Sequence, residues 1–198
     1  MNRALYDGAK YSLRVLFSLW RMKVFGAQNV PRSGPLIVAC NHVSYLDPPL
    51  LGAACPRRIE YMAKRQLFGI PVLGPLISAV GAYPVDREGS ATAAIKRSVE
   101  VLQRGGAIGI FPEGTRNLEG TVQARIGVAL LASLSQAPVV PARLTGTDQA
   151  KRLRPFRVYF GAPMALPRDR KATREDLENF TTEVMRAIRS LPDECDRT

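Results

Sequence analysis

The sequence predicts an α/β fold, with a central mixed sheet flanked by helices and an amphipathic helix at the N-terminus. Short apolar segments of strand length alternate along the chain with longer segments of helical periodicity. The chain has 198 residues, 46% of them hydrophobic, which is enough for one compact core. The sequence contains no repeat, long linker or low-complexity tract. We therefore expect one domain over residues 27–198 and a membrane-association helix over residues 1–26.

The predicted strands are short apolar runs bounded by glycine, proline or charged residues. They are Pro35–Cys40, Arg58–Ala63, Gly81–Val85, Ala107–Phe111, Pro138–Leu144 and Phe156–Phe160. The predicted helices between and after them are Asp47–Ala54, Leu67–Val80 (broken by Gly and Pro), Ala91–Gln103, Val122–Ser135 and Arg174–Ser190. Thr173 is the expected N-cap of the last helix.

The chain is strongly basic, since 28 Lys and Arg residues outnumber 17 Asp and Glu residues and give a net charge of +11. Such a surface attracts nucleic acid, anionic lipid or small anions. No nucleic-acid motif accompanies the charge, so we expect no nucleic-acid partner. The three cysteines, Cys40, Cys55 and Cys195, show neither metal-ligand spacing nor a paired framework. A reduced compartment and no metal site are the corresponding expectations.

The N-terminal segment carries an apolar stripe at helical spacing with cations on either side. The stripe is Leu13, Leu16, Phe17, Trp20 and Val24, and the cations are Lys10, Arg14, Arg21 and Lys23. This pattern predicts a helix lying in the membrane interface, and the alternative is an ordinary helix packed on the core. No run reaches the ~18 apolar residues of a spanning helix, and a signal peptide is not indicated. We expect a peripheral protein on the cytoplasmic face of an anionic membrane.

His42 is the only histidine, and Asp47 follows it by five residues. An imidazole beside a carboxylate can act as a general base with an orienting partner. The structural alternatives are a capping box from Ser44 to Asp47, or Asp47 as an N-cap before Pro48. Cys40 lies two residues before His42 and is either a thiolate nucleophile or a buried strand residue.

A second group of polar residues follows the predicted strand Ala107–Phe111. Pro112 ends the strand, and Gly114 permits a tight turn that presents Glu113, Thr115 and Arg116 at the strand's carboxyl end. Ligands usually bind at this edge of an open α/β sheet. Arg116 is suited to hold a phosphate through two hydrogen bonds, and the alternative is a surface ion pair with Glu113.

Two further segments have a similar form. Gly81–Arg87 is a short strand followed by Asp86 and Arg87, and Arg125 stands two residues before Gly127. Three cations and the His-Asp pair together predict one pocket for an anion and a proton transfer.

These motifs, in this order, resemble the glycerolipid acyltransferase family, and within it the bacterial lysophosphatidic acid acyltransferases. The first motif is Asn41-His42-x-x-x-x-Asp47, and the second is Phe111-Pro112-Glu113-Gly114-Thr115-Arg116. Gly81–Arg87, Ala124–Gly127 and Ala137–Pro141 resemble further blocks of the family. The chain departs from the family pattern at Pro84, Ala124 and Arg125.

The resemblance implies an acyltransferase domain over residues 27–198. We expect such a domain to move a fatty acyl group from acyl-CoA or acyl carrier protein to the free hydroxyl of 1-acyl-sn-glycerol-3-phosphate, giving phosphatidic acid. His42 is then the base and Asp47 its orienting partner, without a cofactor. The residues expected to bind the acceptor are Arg87, Glu113, Gly114, Thr115, Arg116 and Arg125.

Three alternatives stay open from the sequence. The acceptor is another lysophospholipid or a lyso-aminolipid, the His-Asp pair activates water in a thioesterase, or the chain is a non-catalytic basic module.

Overall fold

A computed structural model of the chain describes residues 3–71, 73–85, 91–117, 122–167 and 170–193. Its α-helices are α1 (Arg3–Ser18), α2 (Asp47–Ala54), α3 (Leu73–Ala79), α4 (Ala91–Gln103), α5 (Gly127–Ser135) and α6 (Arg174–Ser190). Its strands are β1 (Lys23–Phe25), β2 (Leu36–Cys40), β3 (Glu60–Lys64), β4 (Ala82–Val85), β5 (Ala107–Ile110), β6 (Val139–Thr145) and β7 (Arg157–Phe160). Short 3₁₀ helices cover Ala27–Asn29, Arg65–Gly69 and Ala150–Arg152.

The described strands form one mixed sheet in the order β1-β7-β6-β2-β5-β3-β4. Neighbouring strands run parallel except β6 and β7, which pair antiparallel. The predicted fold class is therefore confirmed. Because β5, β2 and β6 are adjacent and parallel, the loops that follow them meet at one edge of the sheet.

Strand β2 divides the core into two halves, because alternate side chains of a strand point to opposite faces. Val38 packs with Phe17 of α1 and Leu50 of α2 on one face. On the other face Ile37 belongs to a cluster built by α4, α5 and α6, which includes Val101, Leu131 and Ile188. All five β2 residues are buried, which explains why this strand reads as a continuous apolar run.

Three predicted helices, Asp47–Ala54, Ala91–Gln103 and Arg174–Ser190, have the observed bounds. The six predicted strands are present, with ends that differ by at most two residues. Thr173 caps α6 through a capping box with Asp176, as the sequence indicates.

The prediction that a helix begins at Val122 is wrong, because α5 begins at Gly127. The backbone amide of Val122 donates to the Asn117 side chain, and that of Arg125 donates to the carbonyl of Pro112. These two amides are therefore hydrogen-bonded to the preceding loop and not within a helix. Arg125 lies in that loop and not in a helix.

The prediction of one helical stripe from Leu13 to Val24 is also wrong. Helix α1 ends at Ser18, Arg21 adopts a left-handed conformation (φ 47°), and Val24 lies in β1 beside β7. Phe17 is buried in the core, and Trp20 stacks on Phe156 at 5.3 Å. Most of the predicted lipid-facing stripe thus packs on the protein itself. None of the described helices is long and apolar enough to cross a bilayer.

Candidate active site

His42 and Asp47 form a hydrogen-bonded pair in the loop between β2 and α2. Nδ1 of His42 lies 2.9 Å from Oδ2 of Asp47. A carboxylate can only accept, so Nδ1 carries the proton and Nε2 keeps its lone pair. The His42 side chain is 17% exposed and Asp47 is fully buried. Within the described part of the chain, Nε2 has no hydrogen-bond partner, so it is available to a bound hydroxyl.

Asp47 does not act as the N-cap of α2. It is the first residue of the helix, and its Oδ2 also accepts from the backbone amides of Val43 and Ser44, each at 2.7 Å. The next two residues, Pro48 and Pro49, have no N–H and so need no cap. Only half of the capping box is present. The backbone amide of Ser44 donates to the Asp47 carboxylate, but the Ser44 hydroxyl accepts from the amide of Leu46 and not from that of Asp47. The carboxylate instead closes the loop around His42.

The backbone of His42 is fixed by the loop that follows β5. Its amide donates to Oε2 of Glu113 at 2.9 Å, and its carbonyl accepts from the amide of Asn117 at 2.7 Å. Asn117 also donates its side-chain amide to Oε1 of Glu113 at 3.0 Å. Both Glu113 and Asn117 are buried. Glu113 therefore contacts the backbone of His42 and not its ring, and both of its carboxylate oxygens are bonded to protein groups.

Asn41 ties the same loop to β6. Its side-chain amide donates to the carbonyl of Leu144 at 3.0 Å, and its oxygen accepts the amide of Leu144 at 2.8 Å. On the other side, the ring of Phe111 packs against His42 with centroids 4.4 Å apart. These contacts hold the imidazole between the ends of three neighbouring strands.

Two of the predicted cations lie near this loop. The guanidinium of Arg116 sits 3.9 Å above the ring of Tyr45, which belongs to the His-Asp loop, and donates to its hydroxyl at 3.0 Å. Arg125 lies beside Gly114, where a Cβ would come within 3.2 Å of its Nε. Gly114 has φ +68°, so a larger residue there is strained as well as crowded.

Arg116, Arg125 and Thr115 are exposed at this edge of the sheet. Arg87, the third predicted phosphate ligand, lies outside the described residues. The alternative interpretation of Arg116, an ion pair with Glu113, is not formed, because the Glu113 carboxylate bonds to His42 and Asn117.

Cys40 is an unsuitable nucleophile in this setting. It is fully buried, and burial raises the pKa of its thiol well above the ordinary value, with the carboxylates of Asp47 and Glu113 adding to the effect. A thiol that stays protonated attacks carbonyl groups poorly. The structure therefore favours the buried-strand interpretation of Cys40.

Three residues of the site are not among the sequence candidates: Asn41, Asn117 and Thr147, whose hydroxyl donates to Asp47. Asn41 is the first residue of the His-Asp motif and Asn117 directly follows Arg116, so their position is the only sequence signal for them. The arrangement as a whole offers an imidazole whose Nε2 can accept a proton, a buried carboxylate that orients it, and cations at the same edge of the sheet.

Comparisons with known proteins identify the family of the chain. The profile of the Acyltransferase family matches residues 21–145. A 1-acyl-sn-glycerol-3-phosphate acyltransferase of Bacillus subtilis is 35% identical over 151 residues, which are 75% of each chain. One from Borreliella burgdorferi is 32% identical over 68% of this chain and 56% of its own length. The crystal structure of the 1-acyl-sn-glycerophosphate acyltransferase PlsC from Thermotoga maritima shares the fold. It has a TM-score of 0.69 and 24% identity, covering 96% of this chain and 82% of that one.

Proposed function

The chain belongs to the Acyltransferase family, and from this premise we propose that it acylates 1-acyl-sn-glycerol-3-phosphate to phosphatidic acid, using acyl-CoA or acyl carrier protein as donor. The observation that carries the proposal is the 2.9 Å contact between Nδ1 of His42 and Asp47, which leaves Nε2 free at the edge of the sheet. The names of the relatives support the choice of acceptor.

The reaction requires one proton to move twice. Nε2 of His42 takes the proton of the acceptor hydroxyl while the oxygen attacks the thioester carbonyl and a C–O bond forms. Asp47 stabilises the imidazolium that results. The C–S bond then breaks, and the thiolate takes the proton from Nε2. The acceptor itself attacks the thioester, so no acyl-enzyme intermediate is required.

The cations bind the phosphate of the acceptor. Arg116 and Arg125 lie at the same edge of the sheet as His42, and Arg87 is a further predicted ligand. A phosphate held at a fixed place determines which hydroxyl reaches Nε2. Thr115 is exposed beside them and can contact the glycerol portion.

We propose that Glu113 acts through His42 rather than on the acceptor. Its carboxylate accepts the backbone amide of His42 and is buried, so it contributes to holding the imidazole in place. Gly114 contributes by allowing the turn that brings Arg125 close.

We also propose that the chain acts at a membrane surface. The face of α1 that contacts lipid is then not the stripe that the sequence pattern predicts. Exposed apolar residues occupy one side of this segment: Leu5, Tyr11, Val15, Leu16 and Leu19. Tyr11, Val15 and Leu19 follow each other at intervals of four residues, and the buried Tyr6 and Phe17 lie on the opposite side. An exposed apolar face on a protein of net charge +11 suits an anionic lipid surface.

The test is to identify the lipid products. Palmitoyl-CoA and palmitoyl acyl carrier protein are each offered with and without lysophosphatidic acid, thiol release is followed, and lipids are identified by mass spectrometry. We expect release that depends on the acceptor, with phosphatidic acid formed. Free palmitate released without the acceptor contradicts the proposal and indicates a thioesterase.

A further inference from the structure

Thr147 contacts the buried carboxylate of Asp47 from a distant part of the chain. Its hydroxyl donates to Oδ1 at 2.7 Å, and the two residues are 100 positions apart. Thr147 is 2% exposed, so solvent does not replace this donor.

The two oxygens of Asp47 have different partners. Oδ2 accepts from His42, Val43 and Ser44, which all belong to its own loop. Oδ1 accepts from Thr147, which lies beyond β6. Rotation of the carboxylate about its Cβ–Cγ bond breaks the contact with Nδ1 of His42, and the Thr147 bond opposes that rotation. The three bonds on Oδ2 oppose the same rotation from within the loop, and Thr147 adds a fourth bond, on the other oxygen, from a distant part of the chain.

The backbone at the end of β6 is shaped to place Thr147 there. Gly146 has φ +85°, and a Cβ on it would come within 2.5 Å of the carbonyl oxygen of Pro155. Only glycine fits this turn without displacing the neighbouring chain. The chain leaves β6, turns at Gly146 and presents the Thr147 side chain to Asp47.

We propose that Thr147 is a positioning residue of the acyl transfer, which holds Asp47 in the orientation that keeps the proton on Nδ1 of His42. The inference rests on the proposed roles of His42 and Asp47. The order of contacts is Thr147 to Asp47 to His42, and Thr147 needs no contact with substrate. The other titratable groups facing the pair are Glu113, on the backbone of His42, and the Cys40 thiol at the end of β2.

The chain supplies a matched control two residues away. Thr145 is also buried, and within the described residues its Oγ1 has no hydrogen-bond partner. Thr145→Val and Thr147→Val each remove one buried threonine hydroxyl, at positions two residues apart. Only the second change takes a donor from Asp47.

The first measurement is steady-state acyl transfer. For Thr147→Val we expect kcat to fall about tenfold with KM for lysophosphatidic acid within about twofold, because orientation of the base is lost and not acceptor binding. Thr147→Ser keeps the donor and is expected to retain activity near wild type, as is Thr145→Val. Equal losses in the two valine variants, or an unchanged kcat in a folded Thr147→Val, overturn the proposal.

The second measurement uses the fact that His42 is the only histidine. The ¹⁵N-imidazole NMR spectrum then reports one ring, and we expect the Nδ1–H tautomer in the wild type and in Thr145→Val. Thr147→Val is expected to shift toward a mixture of tautomers. An unchanged spectrum in that variant contradicts the proposal even if its activity falls.

Two additions keep the outcomes distinct. If Thr147→Val does not fold, Thr147→Cys, with a weak thiol donor of similar size, takes its place and is expected to show the same changes in smaller degree. His42→Ala is assayed in parallel. A wild-type chain that forms no phosphatidic acid overturns the proposed function itself. Full activity in His42→Ala overturns the role of His42 as the base, whereas an inactive His42→Ala beside a fully active Thr147→Val overturns only the role of Thr147.

Discussion

Arg116 contacts Tyr45 of the loop between β2 and α2, and its guanidinium stays exposed there. The guanidinium lies over the tyrosine ring and donates to its hydroxyl, so two contacts restrict its motion while it stays exposed to a ligand. A preorganised guanidinium loses little side-chain entropy when it binds phosphate.

Arg116→Ala is therefore expected to raise KM for lysophosphatidic acid about tenfold or more, with a smaller effect on kcat, since binding of the phosphate is lost. The measurement is steady-state kinetics with lysophosphatidic acid and with monoacylglycerol, which has no phosphate. Arg186→Ala on the exposed face of α6 makes the same change in net charge and serves as control. Equal weakening for both acceptors contradicts the phosphate role.

At the scale of single elements, the start of α6 is defined by its own sequence. Thr173 and Asp176 form a reciprocal capping box, and Arg170 adds an ion pair to Asp176. The hydrogen bonds from Arg170, followed by those from Thr173, hold the pKa of Asp176 well below its usual range.

Asp176→Ala is expected to lower the melting temperature by a few degrees at pH 7, because the cap and the ion pair are lost. A carboxyl whose pKa is lowered by folding stabilises the protein above its unfolded pKa, about 3.9, and loses that contribution as pH falls through the folded value. The gap between wild type and variant should therefore narrow below about pH 4. Glu183→Ala, on the exposed side of α6, is the control, and a gap that widens with acid contradicts the account.

Helix α1 shows why a helical apolar pattern does not by itself identify a lipid-facing side. This segment has two apolar faces. One packs on the core through Tyr6 and Phe17, and the other is exposed through residues such as Leu16 in the helix and Leu19 directly after it. The sequence pattern places Phe17 and Leu16 on one stripe, but the fold places them on different faces of the helix.

The double variant Leu16→Glu/Leu19→Glu tests the exposed face. These side chains are 48% and 68% exposed, so the fold should be kept, while partition onto phosphatidylglycerol-containing vesicles should fall at least about tenfold. Co-sedimentation with vesicles measures the change. Leu134→Glu, at a 53% exposed leucine of α5, is the control. Wild-type partitioning in the double variant contradicts the proposed membrane face.

At the scale of the whole molecule, the sequence predicts best what depends on local pattern. The buried strands β2, β5 and β6 and the bounds of α2, α4 and α6 follow from apolar runs, glycine and proline positions, and caps. The sequence does not predict strand β1, because none of its three residues is buried and the strand is defined by its pairing with β7. The sequence does not predict the start of α5 at Gly127, because hydrogen bonds to Asn117 and Pro112 keep the preceding residues in a loop.

The candidate site divides in the same way. His42 and Asp47 lie within one loop, and their pairing can be predicted from a spacing of five residues. The supports of that pair come from far along the chain: Glu113 is 71 residues from His42, and Thr147 is 100 residues from Asp47. No local pattern predicts such contacts, because they exist only once the parallel strands have brought the loop ends together.

The most direct test of the account is the turnover of His42→Ala with palmitoyl-CoA and lysophosphatidic acid, beside the wild-type chain. The account predicts that phosphatidic acid formation falls at least about a hundredfold, because the single general base is removed, while circular dichroism and melting temperature show a folded protein. A folded His42→Ala that forms phosphatidic acid at the wild-type rate contradicts the role of His42 as the base.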